Sequence, residues 1–491
     1  MHFSIPDTQE LKDENAAPYQ AFNIHINGVL HCTLRYSQLR DLNDQIRDQF
    51  PTSELADFPP KKVFSLRGES LNERRVQLEK YIQSVGQNQE ICACGTFSSF
   101  LHKAQQETRR EETIPVSLDI FLMNGAKVTI DINSTDQTND VIENVAACIG
   151  IPDDFTYYFG LYLMKSEKDG KFSIVRKLQD FESPYISMKA LTERRSYKIT
   201  IRKAYWDQAF DDDILSDTTT FNLLHVQALS DVEMGWTICP KDNLQRLESL
   251  QNRGSKREID FLWCQQLVLP DSSLITFRSL KLCRTLRHYG YVQFKPCITD
   301  FPSDKRRVIV SMGNYEIHFR VQLDKSEVKE AAFSVTRIRC WRASSQFKES
   351  VELNQNSQVE QEHPVLQLSF EYLVSKGNMK WISLISDQAI MMSMCIKDMV
   401  DELLRKRKGG RIKKPSDRSK SKIRFKPRDK STEALFGPEI NETRDSTTKK
   451  ISEKIASVKS STGNSNPSSK DDISPFLSNS SAFEGIGDDD L

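Results

Sequence analysis

The sequence predicts a multidomain α+β chain, and three observations carry that prediction. Its 491 residues, 38% of them hydrophobic, exceed what one core organises and suffice for about two to four domains. The alternation of strand-like and helix-like periodicity starts afresh after polar interruptions, first at Val116 and again near Ser303. Beyond Gly409 the composition shifts to Ser, Lys, Asn and Asp, too poor in apolar surface to order itself.

The first hundred residues alternate through Phe22, Ile24 and Ile26, meet Asn27-Gly28, and resume from Val29 to Leu34. That is a hairpin over 19–36 closed by a type I′ turn. Ser37 is placed to cap a helix carrying Leu39, Leu42, Ile46 and Phe50 on one face. A rigid segment follows, Phe58-Pro59-Pro60-Lys61-Lys62. Leu71, Leu78, Tyr81, Ile82 and Val85 predict a second helix over Ser70 to Val85, and Phe97, Phe100 and Leu101 a third. The run Glu107 to Glu112 reads as a solvated boundary.

From Val116 the order is strand (Val116, Leu118, Ile120, Leu122), Asn124-Gly125 turn, strand (Val128, Ile130, Ile132) and helix (Val141, Val145, Ala146, Ile149). This is the opening of a ubiquitin-like β-grasp domain, with Phe159 to Leu163 and Tyr197 to Ile201 as later strands. Residues 205–297 read mainly helical, over Asn222 to Met234, Asp242 to Gln251 and Cys283 to Gly290. Short strands return at Val308 to Ser311, Ile317 to Val321 and Leu366 to Phe370. A last helix runs from about Ser386 to Lys406 through Ile390, Met394, Met399, Leu403 and Leu404. Between Arg405 and Lys430 stand fourteen Lys or Arg and two Asp, either a solvated tail or a contact for anionic lipid. The ending FEGIGDDDL differs again, with one aromatic, two aliphatics and four acids, and reads either as a short docking motif through Phe483, Ile486 and Leu491 or as inert tail.

Several function classes are excluded. Lys plus Arg and Asp plus Glu both total 68, so no global charge points to nucleic acid. The start MHFSIPDTQE lacks a charged and then apolar leader, and no run reaches the length of a spanning helix. Ten scattered cysteines, with Cys92 and Cys94 the only close pair, read as reduced thiols of a cytosolic protein rather than a zinc site. The sequence contains no G-x-S-x-G, P-loop or H-E-x-x-H. His288 reads as a packing residue and Asp211-Asp212-Asp213 as surface, since the latter lacks the ligand alternation of a calcium loop. No catalytic residue, metal or cofactor is expected.

The informative constellation is Arg35-Tyr36-Ser37 at a strand-to-helix junction, Lys61-Lys62 after two prolines, and Arg74-Arg75 on the second helix. A phosphomonoester on an inositol ring is held by a forked cation together with donors at a helix N-terminus. An aromatic can pack on the ring, a lysine can neutralise a diester phosphate, and a second arginine can hydrogen-bond ring hydroxyls.

In this order these residues resemble the phox-homology (PX) domain: an R-[YF]-[SR] strand end, a proline-rich lysine loop, and an arginine seven residues before an aromatic. Arg74 stands seven before Tyr81 and is preferred to Arg75. The resemblance implies that Arg35 and Ser37 hold a 3-phosphate, Tyr36 packs on the inositol, Lys61 meets the 1-phosphate and Arg74 binds the ring, a phosphatidylinositol 3-phosphate site. Val63, Phe64 and Leu66 follow, either dipping into the membrane interface or buried in the domain core.

The whole chain is similar to the sorting nexins with an atypical FERM domain. The similarity lies in IHINGVLHC, FPPKK, QLEKYIQ, IVRKL, TLRHYGY, VTRIRCWR, SFEYL and QAIMMSMCIKDMVDEL, collinear to residue 408, and in FEGIGDDDL. It implies a PX domain (1–108), a ubiquitin-like, Ras-associating-like first FERM lobe (115–203), a helical second lobe (204–297), a phosphotyrosine-binding-like sandwich with C-terminal helix (298–408) and a disordered tail (409–491). One stretch departs: WCQQLVLPDSSLITFRSLK interrupts the family's helix before TLRHYGY and breaks helical period.

The resemblance further implies a non-enzymatic adaptor, cytoplasmic and peripheral on the early endosome membrane. Its third lobe would take NPxY or NxxY motifs of receptor tails by β-augmentation, with Trp341, Leu373, Val400 and Leu404 either the wall of that groove or residues of the core. Cargo would then be recycled to the plasma membrane rather than degraded in lysosomes, through a Retriever-type recycling complex bound at the C-terminus. The alternative from another class is a FERM-type cytoskeletal linker or small-GTPase effector.

Overall fold

A computed structural model describes residues 1–12, 17–62, 66–168, 170–253, 270–303, 305–322, 328–346, 365–418, 425–428 and 435. In the first domain β3 (Tyr19–Ile26) is central. β1 (Phe3–Ser4) and β2 (Thr8–Leu11) pair along one of its edges, and β4 (Val29–Arg35) along the other. Asn27 and Gly28 both adopt positive φ, +51° and +82°, as a type I′ turn requires. A side chain at Gly28 is strained by this positive φ, and its Cβ would lie 2.7 Å from Ile390 Cδ1, so that the Ile390 tip would have to shift. Four helices follow: α1 (Tyr36–Gln49), α2 (Gly68–Gln87), α3 (Gln89–Ala93) and α4 (Gly95–Arg109). Phe22, Leu34, Leu39, Tyr81, Phe97 and Phe100 close the core between them.

The expected solvated boundary holds only in part, for Arg109, Arg110 and Glu112, which are exposed. Glu107 and Glu111 are buried, each paired: Glu107 accepts from Gln38 Nε2 at 2.8 Å, and Glu111 meets Lys189 Nζ at 2.8 Å. A run of charges is solvated only when no partner is folded against it.

The β-grasp lobe comprises β5 (Pro115–Phe121), β6 (Lys127–Asn133), α5 (Thr138–Ile149), β7 (Phe159–Ser166), β8 (Phe172–Lys177), α6 (Pro184–Lys189) and β9 (Tyr197–Lys203). Its sheet runs β6-β5-β9-β7-β8, with β5 and β9 parallel. The helical lobe holds α7 (Phe210–Ile214), α8 (Thr218–Glu233), α9 (Lys241–Arg253) and α10 (Pro270–Arg284).

Three expectations fail in this lobe. The stretch thought to break helical period is helix from Pro270 onward. Proline suits a first helical position, Leu280 and Cys283 are buried, and Ser279 Oγ lies 2.9 Å from His225 Nε2 of α8. Helix does not continue to Gly290, because His288 and Gly290 take φ of +63° and +73° and turn the chain into β10 (Val292–Gln293). Asp211 is not surface: it is fully buried, accepting from Tyr205 and Tyr289 hydroxyls at 2.6 and 2.9 Å, with Lys203 and Arg284 beside it.

The third lobe adds β11 (Cys297–Thr299), β12 (Arg306–Gly313), β13 (Glu316–Gln322), β14 (Val328–Ser334), β15 (Ile338–Gln346), β16 (Val365–Ser375), β17 (Asn378–Ile385) and α11 (Ala389–Arg407). Hydrogen bonding orders them β14-β13-β12-β11-β17-β16-β15. Phe333 of β14 nevertheless lies 5.6 and 5.1 Å from Phe370 and Tyr372 of β16, so the sheet folds over on itself as a sandwich. Glu402 of α11 ties this lobe to the others: buried, it accepts from the Trp206 and Asp207 amides and, at 2.8 Å, from the Tyr315 hydroxyl.

After α11 the chain does not leave the folded body at Gly409, as composition led us to expect. Ile412 joins the core of the β-grasp and helical lobes, and Phe425 is buried 5.3 Å from Phe100 in the first domain. Sparse apolar residues suffice for order where a preformed surface receives them.

Candidate functional site

The first domain gathers most of its predicted residues at one end. Arg35 closes β4 and precedes the first turn of α1, whose leading amides have no intrahelical partner. The cap differs from expectation: Ser37 is the second residue of α1 and lies exposed, while Gln38 Oε1 accepts from the Arg35 amide at 3.0 Å. A long side chain at the third helical position reaches back as in a capping box. Arg74 places its guanidinium 4.4 Å above the Tyr36 ring and donates to the Pro60 carbonyl at 2.8 Å. Tyr36 donates to the Pro59 carbonyl at 2.7 Å and packs on Phe58. Desolvation raises its phenol pKa against the pull of Arg74. Lys61 follows Pro60 and is exposed.

Arg75 faces elsewhere. It donates to Asn72 Oδ1 at 3.0 Å and to the Ile5 carbonyl, tying α2 to the N-terminal strand region. The structure thus joins Tyr36 and Arg74 on the Pro59-Pro60 loop, with Arg35, Ser37 and Lys61 adjoining them in sequence near the N-terminus of α1. Such an arrangement suits a phosphorylated ring. Of the apolar residues after it, Val63 and Phe64 lie outside the described residues, and Leu66 is half-buried.

The sequence reading missed two supports. Tyr19 stacks under Arg35, 3.7 Å from ring centroid to Cζ, and Gln38 locks the strand-to-helix turn. Gln38 carried a signal, lying three residues after the strand end. Tyr19 carried none, since cross-strand packing brings it there.

The third lobe presents β15 as the last strand of its sheet, with α11 alongside. Trp341 bridges them, donating from Nε1 to Ser393 Oγ at 3.1 Å, and Leu404 is half-buried against the same core. Val400 is 2% exposed and belongs to that core, so it underlies the groove rather than lining it. Leu373 is a correction: it pairs with Met379 on the sheet face opposite Phe370 and Tyr372, and does not join the other three. Strand alternation decides this, as an odd offset from Phe370 turns the side chain outward. Phe483, Ile486 and Leu491 lie outside the described residues.

Among the described residues there is no cluster of three metal-ligating side chains, and no helix is long and apolar enough to cross a membrane.

Comparison with known proteins places these sites in a family. A PX domain model matches residues 22–104. Models of the first FERM lobe of sorting nexins 17, 27 and 31, the second lobe of sorting nexins 17 and 31, and the sorting nexin 17 FERM C-terminal domain match 116–206, 207–262 and 290–404. The unmatched interval, 263–289, contains the whole of the departing stretch. Sorting nexin-17 of Danio rerio is 43% identical over 497 residues and that of Homo sapiens 43% over 499, each covering 100% of both chains. Human sorting nexin-31 is 33% identical over 82% of this chain and 86% of its own. Among solved structures, a mutant of the Dictyostelium discoideum myosin VII MyTH4-FERM MF2 domain covers 74% of this chain and 72% of its own, at TM-score 0.40 and 10% identity. With full-length identity of 43% and four models matched in order, the chain belongs to the sorting nexin-17 family, a PX domain joined to a three-lobed FERM domain.

Proposed function

We propose that this protein is an endosomal sorting adaptor that reads phosphatidylinositol 3-phosphate with the first domain and NPxY or NxxY receptor tails with the third lobe. The observation that carries the reading is the packing of Arg74 on Tyr36 and of both on the Pro59-Pro60 loop, beside Arg35 at the start of α1 and ahead of Lys61. Arg35 and the leading amides of α1 hold the 3-phosphate, Tyr36 packs on the ring, Lys61 meets the 1-phosphate, and Arg74 hydrogen-bonds ring hydroxyls.

The cargo peptide adds as a strand to the edge of β15 against α11, beside Trp341 and Leu404. Lipid and cargo together give avidity that neither weak contact has alone, because the second binding event becomes intramolecular. The C-terminal Phe483, Ile486 and Leu491 then recruit a Retriever-type complex, returning cargo to the plasma membrane and sparing it from lysosomes.

The test is vesicle binding by the full chain, comparing phosphatidylinositol 3-phosphate with other phosphoinositides. Loss of one charge-assisted contact in Arg35→Ala should cost about 1.5–3 kcal/mol, roughly 10- to 150-fold in affinity. Equal binding by parent and variant would refute the lipid half of the reading.

A further inference from the structure

Two described pieces of the basic stretch after α11, residues 408–418 and 425–428, act as a strap against two different domains. Lys414 Nζ meets Asp154 at 2.6 Å, and Arg418 meets Asp140 at 2.5 Å and Gln137 Oε1 at 3.0 Å, fastening the strap to the β-grasp lobe around the buried Ile412. The second piece lies on the first domain, where Phe425 packs on Phe100. There the backbone takes over. Gln38 Nε2 donates to the Lys426 carbonyl at 3.0 Å, the Arg428 amide donates to the buried Glu107 carboxylate, and Arg35 Nη1 donates to the Arg428 carbonyl at 3.0 Å.

We propose that the end of this strap, Lys426–Arg428, is an internal competitor for the phosphoinositide cleft: its Arg428 carbonyl holds the Arg35 guanidinium that the headgroup phosphate needs. This rests on the reading of Arg35 as the phosphate-binding arginine.

The competition follows from the shared donor. A carbonyl bound to Nη1 satisfies one arm of the guanidinium fork, and its negative end points to where a phosphate oxygen must sit. The Glu107 carboxylate behind it adds negative charge, and the seated Arg428 amide helps compensate that charge. Headgroup binding must therefore displace or shift Arg428, and the apparent affinity is reduced by the fraction of molecules with the strap unseated. By reciprocity a bound headgroup loosens the strap by the same factor.

The test uses the full chain and vesicles of phosphatidylcholine with and without phosphatidylinositol 3-phosphate. Phe425→Asp cannot remain buried against Phe100 and should raise affinity for the phosphoinositide vesicles about three- to tenfold. Arg35→Ala in the same background should abolish that gain. Unchanged or weaker binding by Phe425→Asp overturns the competition while leaving the lipid site standing. Binding insensitive to Arg35→Ala in both backgrounds overturns the site and the competition together. Hydrogen exchange on the unmodified chain gives an independent reading. Saturating inositol 1,3-bisphosphate should speed exchange of the Arg428 amide several-fold, and unchanged or slower exchange there overturns the proposal.

Discussion

The cleft of the first domain and the groove of the third lobe are built from different materials. The cleft draws on three short segments, Arg35 to Ser37, Pro59 to Lys61 and Arg74, of which Tyr36, Arg74 and the two prolines are joined by cation–ring stacking and hydrogen bonds to proline carbonyls. The groove consists of the edge of β15 and the flank of α11, and among the described residues Trp341 links the two by a side-chain hydrogen bond. A cleft of charged side chains is sensitive to single residues. A groove of backbone is sensitive to whatever seats its helix.

The largest expected effect tests that contrast at the seat. Glu402→Leu leaves the Trp206 and Asp207 amides and the Tyr315 hydroxyl without their acceptor in a buried place. It should destabilise the fold by about 3–5 kcal/mol, read as a lowered thermal transition, and weaken binding of an NPxY peptide more than lipid binding. An unchanged transition would show that α11 is seated by packing alone.

Acid should act next, from the side of the cleft. His31 lies on β4 with Arg35, donating from Nε2 to the Leu101 carbonyl at 2.9 Å, and desolvation lowers its pKa to about 4. His225, in α8, is likewise lowered to about 4 by burial. Both are neutral in the fold and titrate near 6.5 when unfolded. Their contribution is therefore complete above 6.5 and is lost as pH falls from 6.5 toward 4. At pH 5 each costs about 2 kcal/mol. His31→Gln should flatten that part of the stability profile, as chemical denaturation at pH 7 and pH 5 would show.

Two smaller effects sharpen the contrast further. Trp341→Ala should lower affinity for an NPxY peptide about tenfold, roughly 1.4 kcal/mol, with lipid binding unchanged in vesicle sedimentation. Arg74→Lys keeps the charge but loses the plane that stacks on Tyr36. A loss of about 1 kcal/mol, or fivefold in phosphoinositide affinity, is expected. If either substitution moved both affinities equally, cleft and groove would be one coupled device.

How much of each site was legible follows from its construction. Arg35, Tyr36 and Arg74 announce themselves because a strand end, a proline pair and a helix each leave a local signature. Val400 and Leu373 were misplaced as wall residues, since spacing along a helix or strand does not tell which apolar face meets a partner and which meets the core. Asp211 was misread for the same reason: three consecutive acids look solvated until Tyr205, Tyr289, Lys203 and Arg284 surround one of them.

The sequence by itself determined the order of domains, the type I′ turn at Asn27-Gly28, the β-grasp opening and the last helix, all set by interactions within a few residues. Only the tertiary structure decided that Glu107 is buried, that Tyr19 lies under Arg35, and that the chain after Gly409 returns to meet Arg428 with Arg35. Such pairings join residues up to 393 positions apart. Their stability comes from surfaces and buried partners that exist only once the rest of the molecule has folded.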